Sequence, residues 1–169
     1  MYRNTFISLL LVFSSVFFGG CFSVKYSTTG AVISPDIKSV GIAYFPNRAP
    51  QVNPTLSQKL TDDLRERMRN QTSLIVTNDI GDVYFEGEIN GYDIRPMAIT
   101  GDQVAAQNRF TISVRVKYTN LVDPTQSFDT SFSRYEDFTG DFSSSEDAML
   151  KRITELLVED IYNKAFVNW

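Results

Sequence analysis

The sequence predicts an α+β domain, a two-layer sandwich in which two helices pack on one face of a mixed, mostly antiparallel sheet of four to five strands. Three observations lead there. Leu56, Leu60, Leu64 and Met68 recur every fourth residue, as an amphipathic helix requires. Phe110, Ile112, Val114, Val116 and Tyr118 alternate with Arg109, Thr111, Ser113, Arg115, Lys117 and Thr119, which gives a strand one dry and one wet face. Near the C-terminus Met149, Ile153, Leu156, Leu157, Ile161 and Phe166, broadened by Leu150, Val158 and Ala165, make a second helical stripe.

The chain divides before the first of these elements. A single cation, Arg3, precedes an uncharged run from Phe6 to Phe18. A membrane-spanning helix wants about 20 apolar residues, so the run is short for a span and suits a secretory signal. It ends in Gly19, Gly20 and Cys21, small residues that let a peptidase reach the bond before a thiol that can be alkylated by diacylglycerol. Phe18 stands where Leu is commoner in such a lipobox. Residues 1–20 are therefore expected to be a cleaved lipoprotein signal peptide, residues 21–36 the acylated Cys21 and a polar tether, and residues 37–169 one folded domain.

Within the domain, Lys38 to Phe45 reads as a strand with Val40, Ile42 and Tyr44 on one face, ended by Pro46. Asn53 before Pro54 has the form of a cap followed by proline at the first helical position. Leu74 to Val76 is a short strand, parallel to the first if the intervening helix is a crossover. Val83 to Arg95 is a long strand with Phe85, Gly87 and Ile89 inward, and Gly91 marks a bulge because Tyr92 and Ile94 have the opposite parity. A loop from Pro96 to Asn108 leads to the alternating strand; Asp123 to Gln126 then turns into a strand with Phe128, Thr130 and Phe132 on the core face. Ser144 with Asp147 resembles a capping box for the last helix.

Composition removes many functions. There is no histidine, so imidazole zinc sites and histidine-dependent triads or dyads are excluded, and no metal site is expected. Cys21 is the only cysteine, so the mature chain has no internal disulfide and rests on packing. With Arg3 removed, fifteen cations face twenty acids, which argues against a nucleic-acid partner.

Two constellations remain. Glu86 and Glu88 share the outer face of one strand, with Asp93 and Asp102 nearby in sequence, and paired carboxylates hydrolyse glycosides. Exposed sheets carry such pairs without catalysing anything, and no catalytic residue is assigned. Arg109, Arg115 and Lys117 project from one strand beside Thr and Ser hydroxyls, a strip suited to phosphate or carboxylate groups of an anionic lipid. Cross-strand pairing with Glu86, Glu88 or Asp129 accounts for them equally.

The segments YFPNRAPQVNPTLSQ, FEGEINGY, NRFTISVRVKYTN, SFSRYEDF and LVEDIYNKAFVNW, behind a lipobox, resemble the Bacteroidota branch of the LptE family of lipopolysaccharide-assembly lipoproteins. The resemblance runs from about Gly30 to Trp169. It implies a fold of two helices on a four-stranded sheet. It also implies an outer-membrane lipoprotein without enzymatic activity or cofactor beyond the acyl lipid on Cys21, facing the periplasm and the lumen of an LptD-like β-barrel that it plugs and helps to assemble. Lipopolysaccharide would be the cargo, with Arg109, Arg115 and Lys117 as candidate contacts from strand parity. A lipid or glycan carrier and a periplasmic hydrolase are the alternatives.

Overall fold

The computed structural model describes residues 33–51, 53–97 and 107–167. The expectations for the signal peptide, Cys21, Asp102 and Trp169 lie outside them. The elements are β1 (Ser39–Ile42), α1 (Leu56–Gln71), β2 (Ile75–Thr77), β3 (Val83–Pro96), β4 (Gln107–Asn120), a 3-10 turn (Pro124–Gln126), β5 (Phe128–Thr139) and α2 (Glu146–Phe166). The sheet order is β2-β1-β3-β4-β5. β1 is parallel to both neighbours, while the long ladders β3 with β4 and β4 with β5 are antiparallel. This is the α+β sandwich that the sequence predicts.

β1 is shorter than expected. Val40 and Ile42 are fully buried, but Tyr44 is 54% exposed and Phe45 takes the core position. Past Ile42 the chain stays beside β3 by irregular hydrogen bonds, from Ala43 N to Phe85 O and from Ile89 N to Pro46 O. The alternation is thereby broken. Phe45 then packs over Gly87, where an added Cβ would lie 2.7 Å from its ring, and its amide donates to Thr61 Oγ1 at 3.2 Å.

Helix α1 begins at Leu56 rather than Pro54. Asn53 still organises its start, because its Oδ1 accepts from Thr55 N at 2.9 Å and Thr55 Oγ1 at 2.8 Å. Leu56, Leu60, Leu64 and Met68 are all buried, as their spacing predicts. The bulge in β3 falls between Ile89 and Gly91. It turns Tyr92 into the core, where its ring meets Phe110 edge-on at 4.8 Å.

The five apolar residues of β4 are at most 1% exposed, and each contributes on the order of 1.5 to 3 kcal/mol by burial. β5 is an edge strand, so Phe128 and Phe132 are half-buried against the core. The aromatic centre joins sheet to helix: Phe85 lies 4.8 Å from Tyr118 and 6.1 Å from Phe166. The Tyr118 hydroxyl is buried there without a hydrogen-bond partner. Burial pushes its pKa up to about 12; the Asn120 side chain offsets this in part from nearby, without the geometry of a formed hydrogen bond.

Helix α2 differs from expectation in two respects. Leu156 is 42% exposed and Tyr162 is buried in its stead. The buried arc is turned toward α1, where Tyr162 donates to Gln71 O and Arg67 stands 5.3 Å from its ring centroid. Nor is there a capping box. Ser144 Oγ donates to Asp141 O, and the acid engaged in the first turn is Glu146, whose Oε1 accepts from Asn53 Nδ2 and Tyr92 OH. Forked pairs tie α2 to the edge strand: Arg134 holds Asp160 and Arg152 holds Glu136.

Candidate functional site: the wet face of the sheet

The helices cover one face of the sheet, and the opposite face carries the polar parity of β3, β4 and β5. Register decides which charges meet there. Glu86 lies directly across from Lys117, Lys117 from Asp129, and Arg109 from Asp137. Lys117 Nζ donates to Glu86 Oε1 at 2.6 Å. Arg109 grips Asp137 with Nε and a terminal nitrogen at 2.7 and 2.9 Å, and its guanidinium stacks 3.6 Å from the centroid of Tyr135. Arg115 reaches diagonally to Asp129 with two bonds of 2.9 and 2.8 Å. Between these pairs Ser113 and Ser133 share a hydrogen bond of 3.0 Å.

The three cations singled out in the sequence thus stand on one strand face, and each is engaged by a carboxylate. Their electrostatics agree. The hydrogen bond from Arg115 holds the Asp129 carboxyl below its usual range, and that from Arg109 does the same for Asp137. The Glu86 hydrogen bond raises Lys117, so it stays charged. An anionic ligand would have to replace these carboxylates rather than meet bare cations.

A shallow open depression of about 440 Å3 lies over this ladder, lined by Tyr44, Glu86, Glu88, Arg115, Lys117 and Asp129 among others. Glu86 is committed to Lys117, and Glu88 lies in register with Arg115, whose guanidinium turns to Asp129. Asp93 lies further along β3, beyond the bulge, with Arg95 at 4.0 Å. Among the described residues no group of three or more Cys, Asp or Glu is placed to hold a metal.

Sequence reasoning missed Asp137 and the acids of the helix edge. Asp129 and Asp137 do share the odd parity of the outer face of β5. Pairing them with β4 requires the register, which the turn at Pro124–Gln126 sets.

Among solved structures, the chain is similar to a hypothetical protein from Chlamydia trachomatis, with 12% identity over 76% of this chain and 98% of that one and a TM-score of 0.49. Similarity extends to the rare lipoprotein B from Shewanella oneidensis, with 12% identity over 75% and 90% of the chains and a TM-score of 0.42. An uncharacterized lipoprotein B from Nitrosomonas europaea gives 13% identity over 74% and 79%, with a TM-score of 0.44. A search of the curated proteins finds no match. The lipopolysaccharide-assembly family model, LptE, matches residues 37–165, which take in every strand and nearly all of the last helix. The chain belongs to the LptE lipopolysaccharide-assembly family.

Proposed function

We propose that this chain is an outer-membrane lipoprotein of the Bacteroidota type, anchored through an acylated Cys21 and facing the periplasm, that partners and plugs an LptD-type β-barrel. In that role it assists assembly of the barrel and delivery of lipopolysaccharide to the outer leaflet. The observation that carries this reading is the family match across the whole folded body.

The geometry supports a plug over a carrier. A carrier needs a deep apolar pocket, whereas the space between sheet and helices is filled by Phe45, Phe85, Phe110 and Tyr118, all at most 1% exposed. The lumen of a large barrel is polar, and the charged ladder on the sheet is a surface of matching character. A hydrolase is disfavoured because Glu86 is held by Lys117. Loss of function in a folded Glu86→Gln, Glu88→Gln variant would revive it.

Detergent extraction and pull-down of the acylated protein should recover a large barrel protein; recovery of none would sink the partnership. Arg109, Arg115 and Lys117 are proposed as lipopolysaccharide contacts that exchange Asp137, Asp129 and Glu86 for lipid phosphates. Substituting all three by Glu should then abolish lipopolysaccharide binding. Unchanged binding would leave them the role of joining strands.

A further inference from the structure

We infer that the end of the domain nearest the tether touches the lipid surface through four exposed aliphatic side chains, Ile75, Ile80, Leu121 and Val122. The inference rests on the acylation of Cys21 proposed above. Three segments, distant in sequence, converge where the chain enters the fold. Ile37 N closes a turn on Ser34 O, and the next amide, Lys38 N, donates to the Asp82 carboxylate at 2.8 Å. Ile75 N donates to Lys38 O, and Leu121 N donates to Asp82 O, both at 2.9 Å. The loop that carries Ile80 crosses β1 at the same level, with the Asp79 carbonyl and Gly81 nitrogen against Gly41.

The convergence gathers apolar surface. Ile75 and Ile80 are each 71% exposed, Leu121 59% and Val122 42%. The other exposed large hydrophobics of the described residues, Tyr44, Ile94, Tyr135 and Leu156, stand singly on separate segments. Single exposed residues are ordinary; apolar side chains gathered at one end call for an occupant.

The position of the tether selects that occupant. Cys21 lies twelve positions before Ile33, so the chain between them spans at most about 40 Å. That is less than the roughly 48 Å length of a fourteen-residue strand such as β4. An acyl group on Cys21 therefore holds this end, and not the far end of the β3–β4 ladder, against the bilayer. The two acyl chains of a diacylglycerol on Cys21 are enough to retain the protein, so the apolar contact sets how the domain sits at the bilayer rather than whether it stays there. The contact is by apolar insertion rather than charge, because the exposed Asp36 and Asp79 outnumber the exposed cation beside them, Lys38.

The test uses the full acylated protein in vesicles of phosphatidylethanolamine and phosphatidylglycerol, with Ile80→Cys, Leu121→Cys or, as a control remote from this end, Tyr135→Cys carrying an environment-sensitive fluorophore. Labels at 80 and 121 should shift to the blue and be quenched by brominated lipid several-fold more than the label at 135, with little dependence on salt. Labels at 80 and 121 as wet as that at 135, on protein whose Cys21 is acylated by mass spectrometry, overturn this inference alone. An unmodified Cys21 overturns the anchoring reading, and this inference falls with it.

Discussion

Ser39 and Asp82 hold each other by hydrogen bonds in both directions. Ser39 N and Oγ each donate to Asp82 Oδ2 at 2.9 Å, and Asp82 N donates to Ser39 Oγ at 3.0 Å. The pair joins the start of β1 to the start of β3, parallel neighbours that no tight turn could connect. Forty-three residues separate them in the chain.

Acid should loosen this joint. The backbone hydrogen bond from Lys38, followed by those from Ser39, holds the Asp82 carboxyl below its ordinary value of 3.8. Asp123, Asp129 and Asp137 are lowered as well, chiefly by Thr125, Arg115 and Arg109 respectively. A depressed folded pKa means the folded state binds the proton less readily than the unfolded chain. Its stabilisation is complete above the ordinary carboxylate range and is lost as pH falls below about 4 through the folded values. The urea midpoint should drop over that interval, and Asp82→Asn should make the drop shallower.

Gly41 has no room for a side chain. A Cβ there would lie 2.2 Å from the Asp79 carbonyl oxygen, which belongs to backbone crossing over β1. Gly41→Ala should destabilise by about 1 to 3 kcal/mol as overpacking does. An unchanged urea-unfolding free energy would show that the crossing loop yields freely.

Phe85 sits between Tyr118 and Phe166 with no exposed surface. Phe85→Ala should cost about 3 to 5 kcal/mol. Calorimetry should still show a single transition, since the sheet and both helices share one core.

Tyr118 offers the opposite case. Its hydroxyl is buried without a hydrogen bond, and an unsatisfied buried polar group costs about 1 to 3 kcal/mol. Tyr118→Phe removes only that oxygen and should raise the unfolding free energy by about 1 kcal/mol. A loss of stability would show that the Asn120 side chain holds the hydroxyl after all.

On the wet face, Lys117→Glu would set a third carboxylate beside Glu86 and Asp129. The thermal midpoint should fall at low salt and recover in about 1 M salt, where the screening length is about 3 Å. Equal midpoints at both salt concentrations would mean that the ladder is energetically silent.

Some elements were open to reading because their pattern is strictly local. Phe110 to Tyr118 alternate without exception, and the Leu56 to Met68 series keeps one helical face; every one of those residues is buried. Tyr44 and Phe45 exchanged places because β3 recruits the backbone after Ile42 by hydrogen bonds that no property of residues 38–45 encodes. Leu156 and Tyr162 did so because α2 must face α1 as well as the sheet. At the wet face, the parity of Arg109, Arg115 and Lys117 was legible, and their partners were not: Asp137 meets Arg109 only through a register twenty-eight residues long in the chain.

The two layers, the β-α-β-β-β-β-α order, the bulge before Gly91 and the dry and wet sides of the central strand are written in the order of the residues, because periodicity and parity are properties of consecutive positions. The place of β1 between β2 and β3, the gathering of Lys38, Ser39 and Leu121 by Asp82 at one end, and the acid that holds each basic residue singled out on β4 emerge in the folded chain alone. Those outcomes depend on which backbone edges share hydrogen bonds and in what register, and the same local pattern is compatible with many registers.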